Sequence, residues 1–149
     1  VGKNLKVFLD SNVLFSVAYS GKGSSRSHLI YELRSRGGFD IFISELVLKE
    51  AVWNMERKKP EHLSFLKGLI NKSTVLDDIL IRFKNKELET LPLNDRIILT
   101  TALYHGMDFF ITGNARDFRD FYRKKIGETL ILRPVDFIFQ TFNPSNKAG

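Results

Sequence analysis

An α/β domain with a central parallel sheet and helices on both faces is the fold class predicted by this 149-residue sequence. Three observations carry it. Val7-Phe8-Leu9 is a continuous apolar run of the kind buried on both faces of a parallel sheet. Further short strands at Asp40–Ser44, Met107–Ile111 and Thr129–Leu132 are separated by segments with helical spacing. The first run also stops abruptly on Asp10-Ser11-Asn12, and ligands of open α/β sheets sit in the crevice outside the carboxyl ends of the strands. Asp10 equally suits a turn or a helix cap, as do Ser11 and Asn12 beside it.

The length is that of about one domain, able to bury roughly two-thirds of its unfolded surface. No internal repeat or second domain is visible, so residues 1–142 read as one domain and 143–149 as a flexible tail. The absence of cysteine excludes disulfides, thiolate metal sites and cysteine nucleophiles. No apolar run approaches the roughly 18 residues of a membrane span, and Val1-Gly2-Lys3-Asn4 lacks a signal-peptide core, so a cytoplasmic protein without membrane contact is expected. A net charge of +6, from 23 Lys and Arg against 17 Asp and Glu, favours a polyanionic or acidic protein partner.

After the first strand, Gly21 to Ser25 is a small-residue loop, and Ser27 to Arg36 reads as a helix closed by Gly37-Gly38. The strand at Asp40–Ser44 runs into a helix from Glu45 to Met55 whose inner face is Val47, Leu48, Ala51, Val52 and Met55, with Ser44 as its N-cap. Glu50 projects beside Val47 at the border of that face; its residue type favours an exposed position, and its placement allows it to reach a cleft at the sheet edge. Pro60 opens another helix through Leu63, Leu66, Leu69 and Ile70. Ser73 to Ile81 fits either a short strand or a helix start.

Leu91-Pro92-Leu93-Asn94-Asp95 introduces the clearest helix, ending at His105 before Gly106. Ile98, Leu99 and Ala102 place Asp95 at the N-terminal end of the buried stripe, where an unpaired charge is costly. It either caps the helix or faces a cation in a cleft. The strand at Met107–Ile111 ends on Thr112-Gly113-Asn114-Ala115-Arg116-Asp117, again polar where a buried strand surfaces. Asp117 to Lys125 then reads as a helix with Phe118, Phe121 and Tyr122 inward and Arg116, Arg119 and Arg123 along the other side, a row that suits either phosphate contacts or plain solvation. A terminal helix spans Pro134 to Phe142.

Four acidic positions, Asp10, Glu50, Asp95 and Asp117, fall where this architecture can bring them together. Oxygen-only clusters suit Mg²⁺ or Mn²⁺, which usually engage substrate phosphates as well. His28, His62 and His105 show no ligand spacing and read as surface or helix-end residues.

VFLDSNVLFS at 7–16, ISELVLKEAV at 43–52, LNDRIILTTALYHGMDFFITGNARDF at 93–118 and LILRPVDFI at 130–138 together resemble the PIN-domain nucleases, in particular VapC-like toxin ribonucleases and their stand-alone prokaryotic relatives. The resemblance implies a Mg²⁺- or Mn²⁺-dependent endoribonuclease with an acidic pocket at the carboxyl ends of the sheet. It maps catalytic, metal-binding acids onto Asp10, Glu50, Asp95 and Asp117, and supporting polar residues onto Ser11, Asn12 and Thr112. Many members carry an aspartate where this chain has Asn114, which keeps a carbonyl ligand and removes a negative charge. On this reading Arg116, Arg119 and Arg123 bind the RNA backbone, and an antitoxin protein and a homodimer are further implied partners.

Two other readings use the same residues. A non-catalytic PIN-like module would bind RNA or protein through the same cleft, consistent with Asn114. A haloacid-dehalogenase-type phosphohydrolase also places an aspartate after a buried first strand, but that chemistry needs a second aspartate two residues on, and here the position is Asn12.

Overall fold

A computed structural model describes residues 4–21 and 27–142. The loop expected at Gly21 to Ser25 falls largely, and the tail at 143–149 wholly, outside the described residues.

Strands β1 (Leu5–Leu9), β2 (Phe39–Ser44), β3 (Thr74–Leu76), β4 (Phe109–Ile111), β5 (Lys125–Ile126) and β6 (Thr129–Leu132) form one sheet in the order β3-β2-β1-β4-β6-β5. All neighbours pair in parallel except β5, which turns back on β6. Around them lie α1 (Ser11–Ser20), α2 (His28–Gly37), α3 (Glu45–Lys58), α4 (Leu63–Asn71), α5 (Leu93–Tyr104), the short α6 (Ala115–Phe118) and α7 (Pro134–Phe142).

β1 is the middle of the sheet, and Val7, Phe8 and Leu9 are wholly buried. Strands buried on both faces need apolar side chains at every position, which is why they read as runs rather than alternations. One face carries Phe39 and Phe109, both packed edge-on against Phe137 of α7, with α2 alongside α7. On the other, Phe8 stacks on Phe110, which meets Phe118 and through it Phe121. Helices α1, α3 and α4 pack against one another.

The chain leaves β1 toward β2 and β3, then crosses back to lay β4 on the opposite side of β1. This reversal is a topological switch point, and it opens a crevice at the carboxyl ends of β1 and β4. Local signals place the elements on either side. The Ser44 hydroxyl caps α3 by accepting from Val47 N–H at 3.2 Å. Gly38 ends α2 in the left-handed region, with φ of 69°.

Two open alternatives resolve, and one expectation changes. Asp10-Ser11-Asn12 opens a ten-residue helix rather than a bare turn. Ser73 to Ile81 resolves to the three-residue edge strand β3. The helix expected over Asp117 to Lys125 is only α6 followed by a 3₁₀ turn at Arg119–Phe121. Arg123 then adopts a positive φ of 68° and donates its N–H to Ile131 O at 2.7 Å, so the chain turns into the β5–β6 hairpin. A backbone bond to β6 outweighs the helical spacing of Phe118, Phe121 and Tyr122.

Candidate active site

Asp10 is the first residue beyond β1, and its N–H still donates to Ile111 O of β4 at 2.9 Å. The helix-cap and strand-end readings are both realised: its carboxylate accepts from Ser11 N–H at 2.8 Å in the first turn of α1, and it is only 1% exposed. Two further donors converge on it, the Thr112 hydroxyl at 2.7 Å and the Asn12 amide at 3.1 Å. These neutral bonds favour the charged form, but burial outweighs them, and with the nearby charge of Glu50 it pushes the Asp10 carboxyl up to about 6.

The other wall is the loop after β4. Thr112 is buried and its hydroxyl also accepts from Asn114 N–H at 3.1 Å. Gly113 N–H donates to Asn12 Oδ1 at 2.7 Å, and a Cβ on Gly113 would lie 3.1 Å from that oxygen, so glycine lets the loop close on α1. From below, the Tyr122 hydroxyl donates to Thr112 O at 2.9 Å.

Glu50 comes from α3 and is partly buried at the mouth of the crevice. The Ser11 hydroxyl donates to its Oε1 at 2.7 Å and the Asn94 amide to its Oε2 at 3.2 Å. Asp95, in the first turn of α5, is not the cap; Pro92 holds that position and makes no side-chain bond. Burial, the charges of Asp10 and Glu50, and a hydrogen bond and charge from Asp117 push the Asp95 carboxyl up to about 7. Asp117 moves the other way, held low first by the Asn114 amide at 2.8 Å, then by Asp95 as donor and by Arg116 at 3.6 Å. The hydrogen bond shared by this pair thus favours the protonated form of Asp95 and the charged form of Asp117.

The four sequence-selected acids thus approach one crevice from β1, α3, α5 and α6. Asn114 caps α6, accepting Asp117 N–H on its carbonyl oxygen at 3.3 Å while its amide steadies the Asp117 carboxylate. The basic residues do not form one row. Arg116 is exposed beside Asp117 and Arg119 is exposed at the start of the 3₁₀ turn, whereas Arg123 lies beyond that turn and faces Asp136 at 3.6 Å. The histidines stay out of the crevice: His28 pairs with Glu32, His62 bonds Ala18 O, and His105 caps α5.

Asn94, Gly113 and Tyr122 carry parts of the site that sequence reasoning did not single out. Asn94 adjoins a selected acid, and Gly113 adjoins Thr112; these are the only local signals. Nothing in the neighbourhood of Tyr122 points to Thr112.

Among the described residues no three acidic or histidine side chains form a ready-made cage for a metal ion. The donor chemistry nevertheless fits a hard divalent cation: every donor is an oxygen, and two of the carboxyls are held near neutral pH by burial and by their acidic neighbours.

Residues 7–124 match the family model of the PIN domain. The chain belongs to the PIN-domain family. Solved PIN-like neighbours share the fold at low identity. The VapBC2 complex from Rickettsia felis, bound to a DNA fragment from its promoter, aligns at TM-score 0.61 and 18% identity, over 87% of this chain and 98% of the other. DNA-bound VapBC from Salmonella typhimurium aligns at 0.56 and 19%, over 87% and 98%. A toxin–antitoxin complex from Klebsiella pneumoniae aligns at 0.55 and 19%, over 83% and 95%. No match is found among curated protein sequences.

Proposed function

We propose that this PIN domain, spanning residues 1–142, is a metal-dependent endoribonuclease that hydrolyses RNA phosphodiester bonds. The observation that carries the reading is the meeting of Asp10, Glu50, Asp95 and Asp117 at the switch-point crevice, with Asp10 driven toward the neutral form by burial and Glu50, and Asp95 by burial and its three acidic neighbours. Such a concentration of acids is unfavourable by itself and becomes favourable once a cation is bound.

Asp10 and Asp95 would be the principal residues holding Mg²⁺ or Mn²⁺, with Glu50 and Asp117 completing the oxygen set. When bound, the ion supplies an activated water and shields charge on the phosphate and the leaving oxygen. The protein's part is positional. Thr112 from the β4 side and Asn12 from α1 hold the Asp10 carboxylate, and Ser11 and Asn94 fix both oxygens of Glu50. Asp95 and Asp117, which share a hydrogen bond, would both turn to a bound cation as carboxylates. Arg116 and Arg119 neutralise the incoming phosphate backbone.

The toxin–antitoxin assemblies among the neighbours support an antitoxin as partner; the homodimer rests on the family resemblance. One observation favours a second reading, a PIN-like module that binds without cutting. The acids of this crevice are already engaged by protein donors, Asp10 by Thr112, Glu50 by Ser11 and Asp117 by Asn114.

Cleavage of a mixed RNA pool by wild type and Asp10→Asn, each with Mg²⁺, Mn²⁺ or EDTA, tests both. Metal-dependent cutting lost in the variant is expected; RNA retention without cutting in any metal would leave the binding module.

A further inference from the structure

A line of alternating aromatic and cationic side chains runs away from the crevice along the seam between α1 and α3. Both helices start at the carboxyl end of the sheet, and the Ser11–Glu50 bond joins the first turn of α1 to the second turn of α3 at the site. Below it, Phe15 and Tyr19 continue the Ser11 ridge of α1 at helical spacing, their rings 5.4 Å apart. On α3, Trp53 and Arg57 continue the Glu50 ridge, and the Arg57 guanidinium lies 4.1 Å from the Trp53 ring. Two more cations cross the seam, Lys58 over Phe15 at 5.4 Å and Lys59 over Tyr19 at 4.7 Å. From Ser11 to Tyr19 the helix rises about 12 Å, room for a few nucleotides.

Trp53 is 58% exposed and Tyr19 42%, an unusual place to leave large rings. Cation–π pairs account for some of this as surface stabilisation. They do not account for three consecutive cations, Arg57, Lys58 and Lys59, lining up with three rings along a path that begins at a candidate phosphate-cutting site. Lys59 also donates to Tyr19 O at 3.3 Å, closing the end of α1, so it has a structural duty; Arg57 has no carboxylate partner among the described ion pairs.

We propose that this α1–α3 seam is a binding track for single-stranded RNA that flanks the cleavage position, with bases stacking on Trp53 and Tyr19 and phosphates meeting Arg57 and Lys58. The inference rests on the ribonuclease reading of the crevice and extends it to the strand beyond the scissile bond. Flat π faces that accept any base, interleaved with positive charge, are the pattern of sequence-tolerant single-strand binding. Arg116 and Arg119 stand on the α6 side of the crevice, so a strand held at both ends would cross the carboxylates.

Trp53 is the single tryptophan, which makes its fluorescence a direct reporter of this track. The experiment titrates an unstructured RNA of about 12 nucleotides into the protein in EDTA, reading tryptophan fluorescence and RNA anisotropy together, with polyglutamate as an acidic-protein probe. Quenching that saturates with the anisotropy is expected, weakened about tenfold in Arg57→Gln plus Lys58→Gln, with the salt slope shallower by about 0.7 for every phosphate that these side chains neutralise in the wild type. Trp53→Ala should weaken RNA binding about tenfold and raise KM for a long RNA while leaving cleavage of a minimal oligonucleotide unchanged.

RNA that binds without quenching, or equal quenching by polyglutamate, would overturn the track; the latter would make the seam an acidic-protein surface. Cleavage that persists with no quenching would sink the track and leave the ribonuclease reading intact. Quenching without cleavage in any metal would support the track and sink that reading.

Discussion

Two carboxylates near the same edge of the sheet are treated in opposite ways. Asp136, in the first turn of α7 just past β6, is clasped by Arg133 at 2.9 and 3.1 Å and approached by Arg123 at 3.6 Å, and its carboxyl is held below the ordinary range. Asp10, just past β1, receives only neutral donors and is pushed up to about 6. The first acid has its counter-ion built into the fold; the second is oriented, dehydrated and left without one. A charge arranged in that way is a reservoir for a cation from outside the chain, and the difference separates a structural ion pair from a site.

Removing the uncompensated charge should have the strongest consequence. Asp10→Asn should lower metal-dependent RNA cleavage by more than a hundredfold, beyond the roughly 10–100-fold typical of residues that only support a ligand. In EDTA at about pH 7.5 it should raise thermal stability, by at most about 3 kcal/mol if the whole displacement of the Asp10 carboxyl from 3.8 to about 6 is relieved. Paired melting curves and cleavage assays measure both, and a variant less stable than wild type in EDTA would break the contrast with Asp136.

The pH dependence of the metal-free fold follows with a definite sign. Asp10 and Asp95 bind protons more tightly folded than unfolded, so they add stability that is fully present below about 3.8 and lost as pH rises through about 6 and 7. Asp136 does the reverse, contributing stability above its unfolded value that is lost as pH falls through its depressed one. Denaturant midpoints in EDTA should therefore fall between about pH 5 and pH 8, and added Mg²⁺ or Mn²⁺ should flatten the decline. A metal-free profile flat over that interval would show that the acids do not sense one another.

Thr112→Val tests the neutral scaffold. It removes the hydroxyl that donates to Asp10 and accepts from Asn114 N–H, at an expected cost of about 1–3 kcal/mol and a roughly 10–100-fold loss of activity. Chemical denaturation and kcat/KM report the two; unchanged activity in a folded variant would remove Thr112 from the site. Asn114→Asp is smaller. It keeps the cap on Asp117 N–H but replaces the amide that steadies Asp117 with a second charge, so metal affinity by calorimetry should tighten several-fold while stability in EDTA drops. Asp117→Asn should loosen metal binding, and identical titrations for all three proteins would confine the metal to Asp10, Glu50 and Asp95. Asp136→Asn, at a half-exposed pair, should change stability by about 1 kcal/mol or less and leave metal binding alone.

The buried run Val7–Leu9, the polar break at Asp10, the Ser44 cap, the Gly38 stop and the positions of four acids are all legible in the chain alone. Each is written in residues a few places apart whose steric and hydrogen-bonding preferences act locally. The pattern of short strands and helices also carried the fold class. The bonds across long separations are a different matter, because they needed the folded chain: Thr112 to Asp10, Ser11 to Glu50, Asn94 to Glu50 and Tyr122 to Thr112 O. Tertiary packing also overrode the helical spacing after Asp117, where the strand β6 takes the Arg123 N–H and draws the chain into a hairpin. No local preference encodes those partners; they exist because the chain reverses at β1 and lays β4 beside it, and the same reversal turns four scattered acids into one crevice.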